Sequence, residues 1–246
     1  MMLSETPFFV SFFERSGSAF LVGLLDSHPD VSCLREVFHE FQTEEGWARR
    51  PQFATRESVR AQLDRIYTSK YKASGFKYKY PTQYQFYPDV YEYLLERADK
   101  LHIIYLHRKN LLKAAISKQN QLRLINMGKN SNLTEKDNVD LGKIHLDIDR
   151  ALGYMNLRQE YDRKYYEELK RFQHKYVLAY EDLLRDTRSV LKDVFSFLNV
   201  DSHHEASAKT VKITNDDIQK AVANYEELVQ TLTGTEYEQF LTGDRA

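Results

Sequence analysis

The amino-acid sequence predicts an α/β fold, a central and mostly parallel sheet flanked by helices. Three observations point there. Two short apolar runs, Phe8 to Phe13 and Leu101 to Leu106, have the composition of strands buried on both faces. Each run leads within a few residues into a pattern of helical period. Strand-like and helix-like segments then alternate along the chain, as in parallel sheets joined by helical crossovers. Right-handed crossovers place the loops that follow the strands at one edge, where ligands bind in such sheets.

The elements follow in order. Phe20, Leu21, Leu24 and Leu25 recur at helical spacing, so Ser18 to Ser27 reads as a helix that His28-Pro29 ends. Val31 to Leu34 reads as a short strand. Residues 42 to 56 are polar, contain Trp47 and Pro51, and read as a loop. Glu57 to Tyr71 reads as a helix broken by Ser74-Gly75, and Phe76-Lys77-Tyr78-Lys79-Tyr80 alternates like a strand. Asp89 to Lys100 is expected to be helical. Asn110 to Leu124 carries apolar residues at 111, 112, 115, 116 and 122, a helical pattern. Residues 126 to 143 are polar and rich in Gly and Asn; a loop of that length is often functional. A long helix is expected from His145 to Phe172, a strand at Tyr176 to Ala179, a helix at Thr187 to Leu198 and a helical tail from Asn215 to Phe240. Repeats, low-complexity tracts and boundary signals are lacking, so residues 1 to 246 are expected to form one domain.

Composition narrows the function classes. The 246 residues include 35 basic and 36 acidic side chains, a net charge of −1. A binder of nucleic acid usually shows a basic excess, so no nucleic-acid partner is expected. Cys33 is the only cysteine. That rules out an intrachain disulfide and a cysteine-rich zinc site, and fits a reducing compartment. The apolar run near the start is too short for a membrane span and lacks the basic start and cleavage site of a signal peptide. A soluble, cytoplasmic protein is expected.

The turn Glu14-Arg15-Ser16-Gly17-Ser18 between the first strand and helix has the makings of an anion cradle. Backbone N–H groups at a helix start lack partners, and the helix dipole is positive there. Gly17 lets the backbone approach an oxyanion, Ser16 and Ser18 can donate hydroxyl bonds or cap the helix, and Arg15 can grip the anion bidentately. The nucleotide-hydrolase loop G-x-x-x-x-G-K-[ST] is not matched, because Ser18 and Ala19 follow Gly17. No magnesium-binding aspartate ends the other strands. The turn is suited to an anion held without metal; a serine-capped helix with Arg15 in a surface ion pair is the plainer alternative.

A second constellation lies in "YLHRKNLLKAAIS", residues 105–117, where Arg108 ends a strand and Ser117 lies two turns into the next helix. Together with "RSGSAFLVGLLDSHPDV", residues 15–31, it resembles the sulfotransferases that use 3′-phosphoadenosine-5′-phosphosulfate (PAPS). The first stretch is similar to their 5′-phosphosulfate loop, the second to their 3′-phosphate motif. Residues 178–200 resemble the family's strand–Tyr-Glu-Asp-Leu–helix segment, and the tail from Val211 resembles bacterial carbohydrate sulfotransferases such as the nodulation-factor enzymes. Ala19 departs from the threonine of many members. Arg15 replaces the lysine of the cytosolic animal branch, and the interval from Arg108 to Ser117 is one residue longer than there.

The resemblance implies a P-loop-like sulfotransferase fold, PAPS as co-substrate, adenosine 3′,5′-bisphosphate (PAP) as product, and a small, carbohydrate-like acceptor. It implies that Arg15 and residues Ser16, Gly17, Ser18, Ala19 and Phe20 hold the 5′-phosphosulfate and that Arg108 and Ser117 hold the 3′-phosphate. Tyr180 would pack on the adenine or serve as a core tyrosine. Lys209 and Lys212 would belong to a late basic segment over the cofactor, or to a solvated charge run. Sulfuryl transfer needs a base, donors for the leaving phosphate, and orientation. A sulfuryl group carries less charge than a phosphoryl group, so no metal is demanded. Glu36, soon after the second strand, is the expected base, with an ion pair to Arg35 or Arg15 as its other reading. His39 is the rival base; His28 fits the helix-ending turn. Lys77 and Lys79 share one strand face and could approach the sulfuryl group or an anionic acceptor. Residues 38–56 and the 126–143 loop would form the acceptor pocket, where Trp47 could stack on a sugar. The competing functions are a nucleotide-dependent small-molecule kinase and a non-catalytic PAP- or nucleotide-binding protein.

Overall fold

A computed structural model of the chain describes residues 4–80, 82–129, 139–208 and 217–242. In chain order it contains β1 (Thr6–Phe12), α1 (Ser18–Asp26), β2 (Val31–Leu34), β3 (Phe41–Thr43), β4 (Gly46–Ala48), α2 (Arg56–Tyr67), β5 (Ala73–Lys79), α3 (Thr82–Phe86) and α4 (Pro88–Leu95). There follow β6 (His102–His107), α5 (Leu111–Asn126), α6 (Ile148–Leu169), β7 (His174–Ala179), α7 (Tyr180–Arg185), α8 (Thr187–Phe197), α9 (Ile218–Ala221) and α10 (Tyr225–Leu232). The described residues group into two compact units, Met1–His107 with Lys164–Ala208, and Arg108–Arg163 with Lys209–Ala246.

The first unit holds a five-stranded sheet of order β2-β5-β1-β6-β7 in which every neighbouring pair is parallel. This is the predicted α/β architecture. β1 is central, and its apolar run is continuous because both of its faces are covered. Phe8, Val10 and Phe12 pack with Leu21, Leu24 and Leu25 of α1 and Leu191, Val194 and Phe195 of α8. Phe9 points the other way, into a core of Phe76, Val59 and Leu63 of α2, Val90 of α4, and Phe172. Each large apolar side chain buried there contributes about 1.5–3 kcal/mol. The connection after β1 leads across β5 to β2, whereas the one after β6 leads to β7. The strand order therefore reverses between β1 and β6, and the carboxyl ends of these strands are where ligands bind in open α/β sheets.

Two expectations about local structure are corrected here. Gly75 does not end a helix: α2 stops at Tyr67, and Gly75 lies inside β5, opposite Phe8 and Cys33. A Cβ at this position would sit 2.4 Å from the Phe8 carbonyl oxygen, so the glycine marks a close approach of backbones. Residues 42 to 56 are not a plain loop. β3 and β4 form an antiparallel hairpin with Phe41 opposite Ala48 and Gln42 opposite Trp47, and a single 3-10 turn follows at Pro51–Phe53. Three-residue strands show too little alternation to register as a pattern.

In the second unit, Leu112 and Ile116 of α5 share a core with Ile144, Leu146, Met155 of α6, Val222, and Leu228 and Leu232 of α10. The tail is broken rather than continuous. α9 ends at Ala221 because Val222 turns extended (φ −111°, ψ 130°), and Ile144 exchanges backbone hydrogen bonds with Ala221 (2.8 Å) and Ala223 (2.7 Å). The same pairing delays α6, which starts at Ile148 rather than His145. Asn224 bonds the backbone of Leu146 from both sides, and Asp147 accepts from the Arg150 N–H at 3.0 Å.

Candidate functional site

β1 ends at Phe12, and the chain then turns through Arg15 (φ 62°) and Gly17 (φ 82°) into α1. Left-handed residues of this kind occur in anion-binding nests, where backbone N–H groups face a common anion. For the non-glycine Arg15 this conformation costs roughly 1–2 kcal/mol. Gly17, not a serine, is the N-cap of α1, and no side chain caps that helix start. The Ser16 hydroxyl donates to the Phe13 carbonyl at 2.6 Å, so its proton braces the turn itself. Ser18 is buried, and Ala19 and Phe20 occupy the first turn half-buried.

Tyr180 meets this turn directly. It is the first residue of α7, immediately after β7, and is buried in the core shared with α1. A Cβ at Gly17 would lie 2.2 Å and 2.3 Å from two carbons of its ring. Glycine is therefore required at 17 twice over, by the positive φ and by the tyrosine against it.

Glu36 does pair with a cation, but the partner is neither Arg35 nor Arg15. Lys77 of β5 reaches it with Nζ 3.0 Å from Oε1, and the lysine side chain is only 7% exposed. The same ammonium lies 4.7 Å from the centre of the Phe12 ring, a cation–π contact that fixes it at the carboxyl end of β1. One strand period on, Lys79 Nζ stands 3.3 Å from Glu40 Oε1. The alternation of β5 thus lays two lysines on one face, and the segment after β2 supplies a carboxylate to each.

His39 has both ring nitrogens engaged. Nδ1 lies 2.9 Å from the Glu36 carbonyl oxygen, and Nε2 faces the Arg50 guanidinium. Nδ1 donates to that oxygen, because a carbonyl can only accept. The Tyr87 hydroxyl donates to the His39 carbonyl at 3.3 Å and accepts from the Arg50 N–H at 2.8 Å. His28 is buried in the turn after α1, accepting from the Asp30 N–H and donating to the Asp201 carbonyl, both at 3.0 Å. Burial, with Asp26 nearby, pushes the Cys33 thiol far above its ordinary pKa and keeps it unreactive.

In the second unit, Arg108 follows β6 directly and is buried, and Ser117 is buried on α5. Asn110 fixes the start of that helix: its Oδ1 accepts from the Lys113 N–H at 2.8 Å, and its Nδ2 donates to the Phe240 carbonyl at 3.1 Å. Lys209 and Lys212 lie outside the described residues, as do residues 130–138 of the long loop. Sequence reasoning missed the brace of Arg50 and Tyr87 around His39. Neither residue stands in a motif, and the contacts arise only when the hairpin folds back on α4. Among the described residues no helix is long and apolar enough to cross a membrane.

The sequence profile of the sulfotransferase family matches residues 7–205. No curated protein matches the sequence. Among solved structures the chain is similar to a sulfotransferase from Alicyclobacillus acidocaldarius, with 19% identity over 99% of this chain and 98% of that one, at a TM-score of 0.56. It is also similar to a sulfotransferase from Mycobacterium avium (12% identity, 99% and 78%, TM-score 0.49) and to a mouse sulfotransferase complexed with PAP (16% identity, 97% and 88%, TM-score 0.46). The first of these likenesses supports the fold. The family match runs from β1 and its anion turn past α8, and so takes in Glu36, Lys77, Arg108, Ser117 and Tyr180; this chain belongs to the sulfotransferase family.

Proposed function

We propose that the chain transfers a sulfuryl group from PAPS to a hydroxyl of a small, carbohydrate-like acceptor, releasing PAP, with Glu36 as the base. The observation that carries this reading is the Lys77–Glu36 pair against Phe12, at the end of the strand that leads into the anion turn. The fit to PAPS rests on the turn: an uncapped helix start, a left-handed Arg15 and a glycine cap suit a phosphosulfate anion. When bound, PAPS supplies a sulfuryl group activated as a mixed anhydride.

The chain's own residues then divide the work. Arg15 and the backbone of Ser16, Gly17, Ser18, Ala19 and Phe20 hold the leaving phosphate and offset the charge that grows on it. Arg108 and Ser117 hold the 3′-phosphate, Tyr180 lies along the adenine side of the turn, and Lys209 adds a late basic contact. Glu36 takes the acceptor's hydroxyl proton as that oxygen bonds to sulfur and the bond from sulfur to the bridging oxygen breaks, roughly in line. Lys77 orients the Glu36 carboxylate and presents positive charge to the sulfuryl oxygens. His39 is the second candidate base, disfavoured because both of its nitrogens are already engaged. The low charge of the sulfuryl group makes a metal unnecessary. The single, buried, free cysteine supports a cytoplasmic setting. The resemblance of the tail supports relatives among the nodulation-factor type.

The test is calorimetry with PAP and with AMP, followed by transfer of radiolabelled sulfuryl from PAPS to sugar acceptors. PAP is expected to bind clearly tighter than AMP. Equal affinity would remove the 3′-phosphate assignment, and no transfer from PAPS would remove the reaction.

A further inference from the structure

We propose that Glu40 and Gln83, both held by Lys79, form a subsite that binds a hydroxyl of the acceptor beside the reacting one, and that exposed Trp47 supplies the flat face on which its ring lies. The proposal rests on the sulfuryl-transfer reading above and names the acceptor class more closely, as a neutral polyol ring.

The geometry starts from Lys79. Its Nζ reaches Glu40 Oε1 at 3.3 Å, and its backbone N–H donates to Gln83 Oε1 at 2.7 Å. One residue thus fixes one end of each side chain. The other ends are left over. Glu40 Oε2 and Gln83 Nε2 are both buried, and among the described residues neither has a hydrogen-bond partner. Gln83 is 0% exposed and the Glu40 side chain 12%. Buried polar atoms are nearly always paired, and one that is not calls for an absent water, ion or ligand group. These two are complementary, an anionic acceptor and an amide donor. A hydroxyl is the group that can serve either of them, donating its proton to Glu40 or accepting from Gln83. A phenolate or a carboxylate would instead face the Glu40 charge.

Position adds a second argument. Glu40–Lys79 is the next rung after Glu36–Lys77 on the same strand face. A group bound at the second rung belongs to the same small molecule as the hydroxyl at the first. The hairpin of β3 and β4 begins one residue after Glu40, and there Trp47, the chain's only tryptophan, is 59% exposed. A polar pair that reads hydroxyls and an exposed indole on the hairpin that follows Glu40 suit a sugar ring, whose edge is polar and whose face is apolar.

The test compares cellobiose, p-nitrophenol and hexylamine as acceptors of radiolabelled sulfuryl from PAPS. The intact protein is expected to favour cellobiose. Glu40→Gln and Gln83→Glu, which keep the contacts to Lys79, should each raise KM for cellobiose at least tenfold without a matching rise in KM for PAPS. Trp47→Ala, at an exposed site where folding is not at stake, should raise it severalfold. A preference for p-nitrophenol or hexylamine overturns the proposal. So do unchanged cellobiose constants in all three variants, the result expected if the two atoms bind only water. A protein that binds no PAP overturns the sulfuryl-transfer reading first, and calorimetry shows that case separately.

Discussion

The ammonium of Lys77 and the carboxylate of Glu36 stand 3.0 Å apart, and Phe12 closes one side of the lysine. A buried lysine without a counter-charge is costly, and Glu36 supplies one while staying 30% exposed itself. The carboxylate is thus held in one orientation with an edge still open to a substrate.

Glu36→Gln should leave PAP affinity intact and lower turnover by about 10²–10⁴-fold, the usual contribution of a positioned base. Gln keeps an acceptor for Lys77 but removes its counter-charge, so the melting temperature should fall as well. Lys77→Met should lower turnover too, by releasing the Glu36 carboxylate. Calorimetry and sulfuryl-transfer rates on the two variants check both. Full activity of Glu36→Gln would move the base elsewhere, with His39 next in line.

Gly17→Ala should lose PAP binding and at least about 1–2 kcal/mol of stability, since a Cβ there has an unfavourable φ of +82° and strikes the Tyr180 ring. Pairing it with Tyr180→Ala removes the collision but not the backbone strain. Because losing the buried Tyr180 ring has its own cost, the double variant is compared with Tyr180→Ala alone, and Gly17→Ala should still lower stability in that background, as read by thermal denaturation. Equal melting temperatures of these two variants would show that the left-handed backbone carries no cost.

Arg108→Ala should abolish the preference for PAP over AMP while leaving AMP affinity within a few fold. The guanidinium is assigned to the 3′-phosphate, and a charge-assisted bond of that kind is worth about 1.5–3 kcal/mol. Isothermal titration with the two nucleotides measures the difference. Equal losses for both would mean that Arg108 acts on the fold rather than on the 3′-phosphate.

His102 and His174 are register partners on β6 and β7, with rings stacked 4.5 Å apart. Burial first, and the neighbouring His174 second, lower the His102 pKa from its ordinary 6.5. The unfolded chain then takes up a proton at higher pH than the fold does. Stability should fall as pH drops below about 6.5 and stop falling from this source once the folded pKa is passed. Melting temperatures between pH 7.5 and 5 should fall less steeply in His102→Phe. An identical slope would place the acid sensitivity elsewhere.

The order of strands and helices was legible in the sequence because burial leaves a periodic trace. Phe8 to Phe13 and Leu101 to Leu106 mark strands covered on both faces, and Leu21, Leu24 and Leu25 mark the buried side of α1. The anion turn was legible for a similar reason: Gly17 is tied to one backbone conformation, and that conformation ends a strand and opens a helix. The alternation of Lys77 and Lys79 showed that they share a face, although not what faces them.

What the sequence determined by itself is whatever depends on neighbours along the chain: period, turn and the residue types suited to an oxyanion. The tertiary structure decided the partners. Parallel pairing of β1 with β5 sets Lys77 beside Phe12, and only that register gives Glu36 a lysine instead of an arginine from its own stretch. The return of β7 beside β6 carries Tyr180 onto Gly17, more than 150 residues away in sequence. The hairpin that folds back on α4 closes Arg50 and Tyr87 around His39. The physical reason is common to all three. Side-chain pairing depends on distance in space, and chain order constrains that distance only within a turn or two of helix or strand.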